Sequence, residues 1–215
     1  MRDWAGKRYW LVGASEGLGR ALAGQMARAG AELVVSARDA DRLEDLVQSL
    51  QGRHSAVPVD VADAGSVARA ADAAGRIDGV VYLAALYWPI AATDWNAGQV
   101  EAMFDVNLTG AARVLGQVVP DMVRRNRGHV VLTGSLSGLR GLPGAIGYGA
   151  SKAGLMHLAE TMRMDLKRTG VEVQLVNPGF IRTRLTDKND FRMPFIMDAD
   201  AAARIRIAEH LDVGV

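Results

Sequence analysis

The sequence contains no cysteine. That excludes a disulfide framework, a Cys-ligated metal and a thiol nucleophile. Its four histidines are scattered, with no pair at ligand spacing, so no metal site is expected. It has no excess of charge of either sign: the formal net charge is +1, which implies no polyanion partner and no nucleic acid. It has no apolar run near the ~18 residues that a spanning helix needs. The start, Met1-Arg2-Asp3-Trp4, lacks the apolar core of a signal peptide. No membrane span and a cytoplasmic location are therefore predicted. Repeats and low-complexity linkers are also missing. The composition is even over all 215 residues, 49% hydrophobic and 23% charged, which predicts one globular domain over 1–215.

What the chain does have is alternation. Short β-branched runs at 9–12, 33–36, 56–59, 79–83, 129–133 and 171–176 read as strands. Between and after them, stretches at 18–28, 41–50, 64–74, 100–125, 148–168 and 199–209 carry helical patterning. Leu43, Leu46, Val47 and Leu50 mark one such face. The 100–125 stretch is expected to break near Asn107–Gly110. Pro58 lies inside the third strand and removes a ladder bond, so that strand should be an edge. Strands alternating with helices of this length give right-handed βαβ units. The predicted fold is α/β, a doubly wound parallel sheet of the Rossmann type with helices on both faces. Six strands are clear and a seventh is doubtful. Ligands of such sheets bind outside the carboxyl ends of the strands.

The first strand runs into Gly13-Ala14-Ser15-Glu16-Gly17-Leu18-Gly19. Glycines there let backbone N–H groups approach a pyrophosphate at a helix N-terminus. By itself the spacing also fits a ligand-free turn. The second strand ends at Ser36-Ala37-Arg38, without the acidic residue that would bond an adenosine ribose. Arg38 can pair with a 2′-phosphate, which favours NADP over NAD, or can simply open the next helix on the surface. Glu16 argues the other way, since its carboxylate falls near the same phosphate. Asp60-Val61 is a candidate adenine contact, or a strand end whose Asp caps the next turn.

Tyr148 and Lys152 are four residues apart at the start of a predicted helix, hence on one face. Ser135 stands at the carboxyl end of the fifth strand, where it can converge with them. Hydride addition to a carbonyl leaves an alkoxide that needs a proton. A free Tyr has a pKa of about 10, and working near neutrality calls for a fall worth on the order of 4 kcal/mol. The expectation is that Lys152 supplies part of that fall. Tyr148 then acts as acid for reduction and base for oxidation, and Ser135 holds the substrate oxygen. A lone Tyr-x-x-x-Lys also occurs on solvated helix faces.

Five ordered stretches carry a resemblance. They are the glycine-rich turn at 13–19, Val106-Asn107-Leu108-Thr109-Gly110, Gly134-Ser135-Leu136-Ser137-Gly138, Tyr148-Gly149-Ala150-Ser151-Lys152-Ala153 and Asn177-Pro178-Gly179-Phe180-Ile181-Arg182-Thr183. In order and spacing the chain resembles the short-chain dehydrogenase/reductase superfamily from about residue 7 to 185. The resemblance implies a nicotinamide cofactor contacted by Gly13, Ser15, Glu16, Gly17, Leu18, Gly19 and Arg38 on the adenosine and phosphate side. Asp60, Val61 and Ala84 follow along the cleft, then Tyr148 and Lys152. Pro178, Gly179, Ile181 and Thr183 fall beside the nicotinamide. It also implies that Asn107 holds a water that relays protons from Lys152, and that the chain forms a homodimer or homotetramer.

The chain departs from the family pattern in two places. After the fourth strand it has Tyr82-Leu83-Ala84-Ala85 instead of Asn-Asn-Ala-Gly, and it stops soon after the 199–209 helix. The second departure reads as a shortened C-terminus. The segment 180–198 holds Phe191, Met193, Pro194, Phe195, Ile196 and Met197, which reads as an apolar lid. Tyr87-Trp88-Pro89 would face it. The expected activity is hydride transfer between NADP and a small-molecule carbonyl or alcohol with apolar bulk. The alternatives are a dinucleotide-binding regulatory protein without turnover, or a related epimerase or dehydratase.

Overall fold

The β-branched runs form strands β1 (Arg8–Val12), β2 (Glu32–Ser36), β3 (His54–Ala56), β4 (Gly79–Tyr82), β5 (Gly128–Thr133) and β6 (Val171–Val176). In the computed structural model, which describes residues 4–206, all neighbouring strands pair in parallel. Their order is β3-β2-β1-β4-β5-β6. Seven α-helices connect and flank them: α1 (Gly17–Arg28), α2 (Ala40–Ser49), α3 (Ala64–Ala74), α4 (Ala97–Phe104), α5 (Gly110–Arg124), α6 (Ile146–Asp165) and α7 (Ala199–Arg206). The order reverses between β1 and β4, so a crevice opens at the carboxyl ends of those two strands.

Two cores, one on each face of the sheet, hold the layers together. Alternation along β1 sends Tyr9 and Leu11 to one face, against α1, α2 and α7, and Trp10 and Val12 to the other, against α3, α5 and α6. Trp10, Leu11 and Val12 are wholly buried. Burial of side chains of this size stabilises the fold by about 1.5–3 kcal/mol each. The Trp10 indole donates to Ser36 Oγ at 2.8 Å, and Ser36 donates to the Val57 carbonyl at 2.6 Å. That chain stitches β1, β2 and the segment after β3 into one edge.

The structure moves some expected boundaries. The third strand was expected at 56–59 and lies at His54–Ala56, so Pro58 falls beyond it. The backbone still tracks β2 through Val57 N–H to Val35 C=O (3.0 Å) and Val59 N–H to Ala37 C=O (2.9 Å). Pro58, between them, has no N–H to give. β3 is the sheet edge, as the proline implied. Helix α6 begins at Ile146, two residues before the expected start, so Tyr148 sits inside its first turn. The long 100–125 helix is really α4 and α5 joined by a π-helical turn, Asp105–Thr109, at the expected break. The end of the 199–209 helix and His210–Val215 lie outside the described residues, which contain no seventh strand.

Candidate active site

A cleft of about 560 Å³ opens over the carboxyl ends of the strands. All residues expected to touch a cofactor line it, from Gly13 to Thr183 in the chain, and Ser135 lines it with them. Asn107 does not reach it and is fully buried.

The phosphate end is built by close approach. Gly13 has φ +97°, which L side chains rarely adopt. A Cβ on Gly19 would stand 2.1 Å from the Gly13 carbonyl oxygen, so only glycine lets α1 start this close to β1. The N-termini of α2, α3 and α4 are capped by the side chains of Asp39, Asp63 and Asn96. The N-terminus of α1 has no side-chain cap, and its first-turn residues border the cleft. Orphan N–H groups in that setting suit an anion such as a pyrophosphate. A dinucleotide therefore fits the residues present.

At the adenosine end, Arg38 lines the cleft beside Ala37. Glu16 is turned away from the helix amides, and its Oε2 accepts from Arg42 at 2.8 Å and from Arg184 at 2.9 Å. Arg42 and Arg184 were not anticipated from the sequence. Arg42, in the first turn of α2 just after Arg38, could have been found from its proximity in the chain, whereas Arg184 is distant. Asp60 borders the cleft, yet its Oδ1 accepts from Ala62 N–H at 3.0 Å, which is the capping role. Val61 is fixed by its carbonyl, which accepts from Arg113 at 3.0 Å.

At the other end stand the titratable groups. Tyr148 projects from the first turn of α6 and keeps part of its surface open to the cleft. Lys152, one turn on, is buried, with its Nζ 5.8 Å from the centre of the Tyr148 ring. That Nζ donates to the Thr133 carbonyl at the end of β5 at 2.7 Å. Burial draws the Lys152 ammonium down to about 8. Burial pushes the Tyr148 phenol up, a hydrogen bond with Ser135 draws it back in part, and Tyr87 pushes it up. The expected lowering by Lys152 is thus not what the protein alone produces. Enclosure raises the phenol, and the ammonium donates to the Thr133 carbonyl. Ser135 Oγ lies 2.8 Å from Ser137 Oγ and accepts from Ser137 N–H at 3.2 Å, which orients it.

Asn107 occupies the π turn and bonds neither its own backbone nor Lys152. Its Oδ1 accepts from Leu86 N–H at 2.7 Å, and its Nδ2 donates to Leu86 C=O at 3.0 Å and to Ser151 Oγ at 2.9 Å. Ser151 in turn donates to the Tyr148 carbonyl at 2.9 Å. Asn107 thereby clamps the loop after β4 to the turn of α6 that bears Tyr148. Ser151 was not singled out from the sequence. The atypical Tyr82 supplies its own cross-connection: its buried hydroxyl donates to the Val106 carbonyl at 2.6 Å, and burial pushes its pKa far up.

The 180–198 segment is pinned at both ends, by Met197 N–H to Phe180 C=O and Arg182 N–H to Met197 C=O, both 2.9 Å. Tyr87 Oη donates to Asn189 at 2.7 Å, and its ring packs edge-on to Tyr148 with centroids 5.0 Å apart. Trp88 instead packs with Ile90, Val100 and Met103. Phe191 and Phe195 are 51% and 95% exposed, so neither is buried under the segment that carries it.

Comparison with known proteins agrees with this architecture. The family described as "short chain dehydrogenase" matches residues 7–192. An uncharacterized oxidoreductase of Myxococcus xanthus is 40% identical over 212 residues, covering 95% of this chain and 84% of that protein. Oxidoreductase UcpA of Salmonella typhimurium is 31% identical, covering 100% of this chain and 87% of that protein. A solved short chain dehydrogenase/reductase family protein superposes with a TM-score of 0.89 at 28% identity, over 94% of this chain and 88% of that one. Levodione reductase superposes at 0.82 and 26% identity, over 86% and 75%. The chain belongs to the short-chain dehydrogenase/reductase family and is an oxidoreductase that uses a nicotinamide cofactor.

Proposed function

We propose that the protein is an NADP-preferring reductase or dehydrogenase acting on a carbonyl or alcohol carbon, with Tyr148 as its proton donor and acceptor. The observation that carries this reading is one cleft with two ends. An uncapped helix N-terminus lies at one end, and the Tyr148 phenol lies at the other, lining the cleft with Ser135 and with the buried Lys152 ammonium over its ring.

A bound nicotinamide supplies or takes the hydride. The chain handles the proton. In reduction the Tyr148 hydroxyl donates its proton to the substrate oxygen, which Ser135 Oγ also bonds. In oxidation the phenolate takes the proton back. A phenol that burial keeps protonated suits the reductive direction. Lys152 holds positive charge below the phenol, and Asn107 holds the backbone of both cleft walls.

Preference for NADP rests on Arg38 and Arg42 at the adenosine end, with Ala37 where an acidic residue would select NAD. Glu16 opposes this less than its charge suggests, because two guanidinium groups neutralise it. Leu86, Ile181 and Leu185, which line the cleft, favour a substrate with apolar bulk. A homo-oligomer in the cytoplasm completes the reading. Light scattering tests the assembly.

The test is an NADPH-oxidation screen across ketones, aldehydes and β-keto thioesters. Consumption with at least one class is expected. Stabilisation by NADPH with no turnover anywhere would favour a regulatory dinucleotide-binding protein.

A further inference from the structure

We propose that Glu16, through Arg184, clamps the loop after β6 over the phosphate turn and sets how fast a dinucleotide leaves. This rests on the reading that the cleft binds a dinucleotide. Glu16 occupies the N-cap position of α1, where a carboxylate could fold back onto the free amides, yet it makes no cap bond. Instead one oxygen, Oε2, accepts from Arg42 of α2 and from Arg184. Arg42 is itself braced: its Nε lies 3.1 Å from Asp39 Oδ2, in the residue that caps α2. The carboxylate is therefore anchored on the α2 side and free to hold the loop on the other.

That loop is tied together by its own hydrogen bonds. The Thr186 hydroxyl accepts from Thr183 N–H at 3.0 Å and lies 2.7 and 2.8 Å from the Ile181 and Thr183 carbonyls. The Thr183 methyl already lies against the turn, 2.9 Å from where a Gly17 Cβ would stand. The Glu16–Arg184 pair thus closes a bridge above the α1 N-terminus, fastened by an ion pair between positions 168 residues apart. A dinucleotide held along the cleft would pass beneath it. The same pair secures the loop that carries Ile181 and Thr183 against the phosphate turn. It also keeps the Glu16 charge off the amides that an incoming phosphate needs.

The experiment uses the full chain with NADPH and NADH as probes, following release of each by stopped-flow fluorescence on displacement. Arg184→Met and Glu16→Gln should each speed release by about two- to fivefold, the range for an ion pair this exposed. The double variant should be no faster than Glu16→Gln alone, because that change already removes the Arg184 pair. Arg184→Lys, which keeps the cation, should release within about twofold of the parent. Release at the parental rate from Arg184→Met, or single effects that multiply in the double variant, would overturn the clamp while leaving the cofactor reading intact. Failure of the parent to bind either dinucleotide would overturn both.

Discussion

Lys152 sits one helical turn beyond Tyr148 on α6, with its Nζ 5.8 Å from the phenol ring centre and bonded to the Thr133 carbonyl. The ammonium is buried beneath the residue whose proton the proposed chemistry moves, so it titrates with the fold. Its folded pKa is drawn from 10.5 to about 8. Above that value the unfolded chain still holds a proton that the folded chain has lost. Stability contributed by this site therefore rises with pH above 8. Between pH 8 and pH 10 the gain from Lys152 is on the order of 2 kcal/mol, and the comparison with the variant removes what the Tyr148 phenol contributes in both proteins. Urea unfolding of the parent and of Lys152→Met at the two pH values measures it. The parent should gain on the variant as pH rises; a constant difference would show that Lys152 titrates normally.

Asn107 uses both ends of its amide, two bonds on Leu86 and one on Ser151. Asn107→Ala leaves the Leu86 backbone groups without those partners inside the protein. The expected loss is at least about 2 kcal/mol in chemical denaturation, from two unsatisfied groups at roughly 1–3 kcal/mol each. A loss below about 0.5 kcal/mol would mean that the loop after β4 is held by something else.

Gly19→Ala places a Cβ 2.1 Å from the Gly13 carbonyl oxygen, so α1 must shift away from β1. Dinucleotide affinity, read by fluorescence titration, should fall by more than about tenfold, with a stability cost of about 1–3 kcal/mol. Unchanged affinity would contradict the placement of the phosphate site.

Much of this was legible beforehand because it is local. The strand–helix alternation gave the parallel sheet, Pro58 gave the edge, and the stretch around Asn107 gave the helix break. The short edge strand shifted because β3 ends where Pro58 interrupts the donors. Other features depend on contacts that no local pattern encodes. Arg184 meets Glu16 across 168 residues, and Tyr87 meets Asn189 across 102. The resemblance gives Asn107 a relay water on the path to Lys152, whereas its bonds to Leu86 and Ser151 emerge only in the folded chain. The direction of the Tyr148 pKa likewise follows from enclosure by the folded chain, which no local spacing encodes.

Cofactor choice turns on the adenosine end. Arg38→Asp should shift the ratio of kcat/KM for NADPH over NADH toward NADH by more than tenfold, above ~1.4 kcal/mol. An unchanged ratio would remove Arg38 from cofactor selection.

The most direct measurement compares NADPH oxidation by the parent and by Tyr148→Phe with a carbonyl substrate from the panel, alongside NADPH titration of both. Turnover should fall by about 10²–10⁴-fold while NADPH affinity stays within about twofold, because the phenol oxygen moves the proton and the ring keeps its place. Parental turnover in Tyr148→Phe would contradict the assignment of the proton to this hydroxyl.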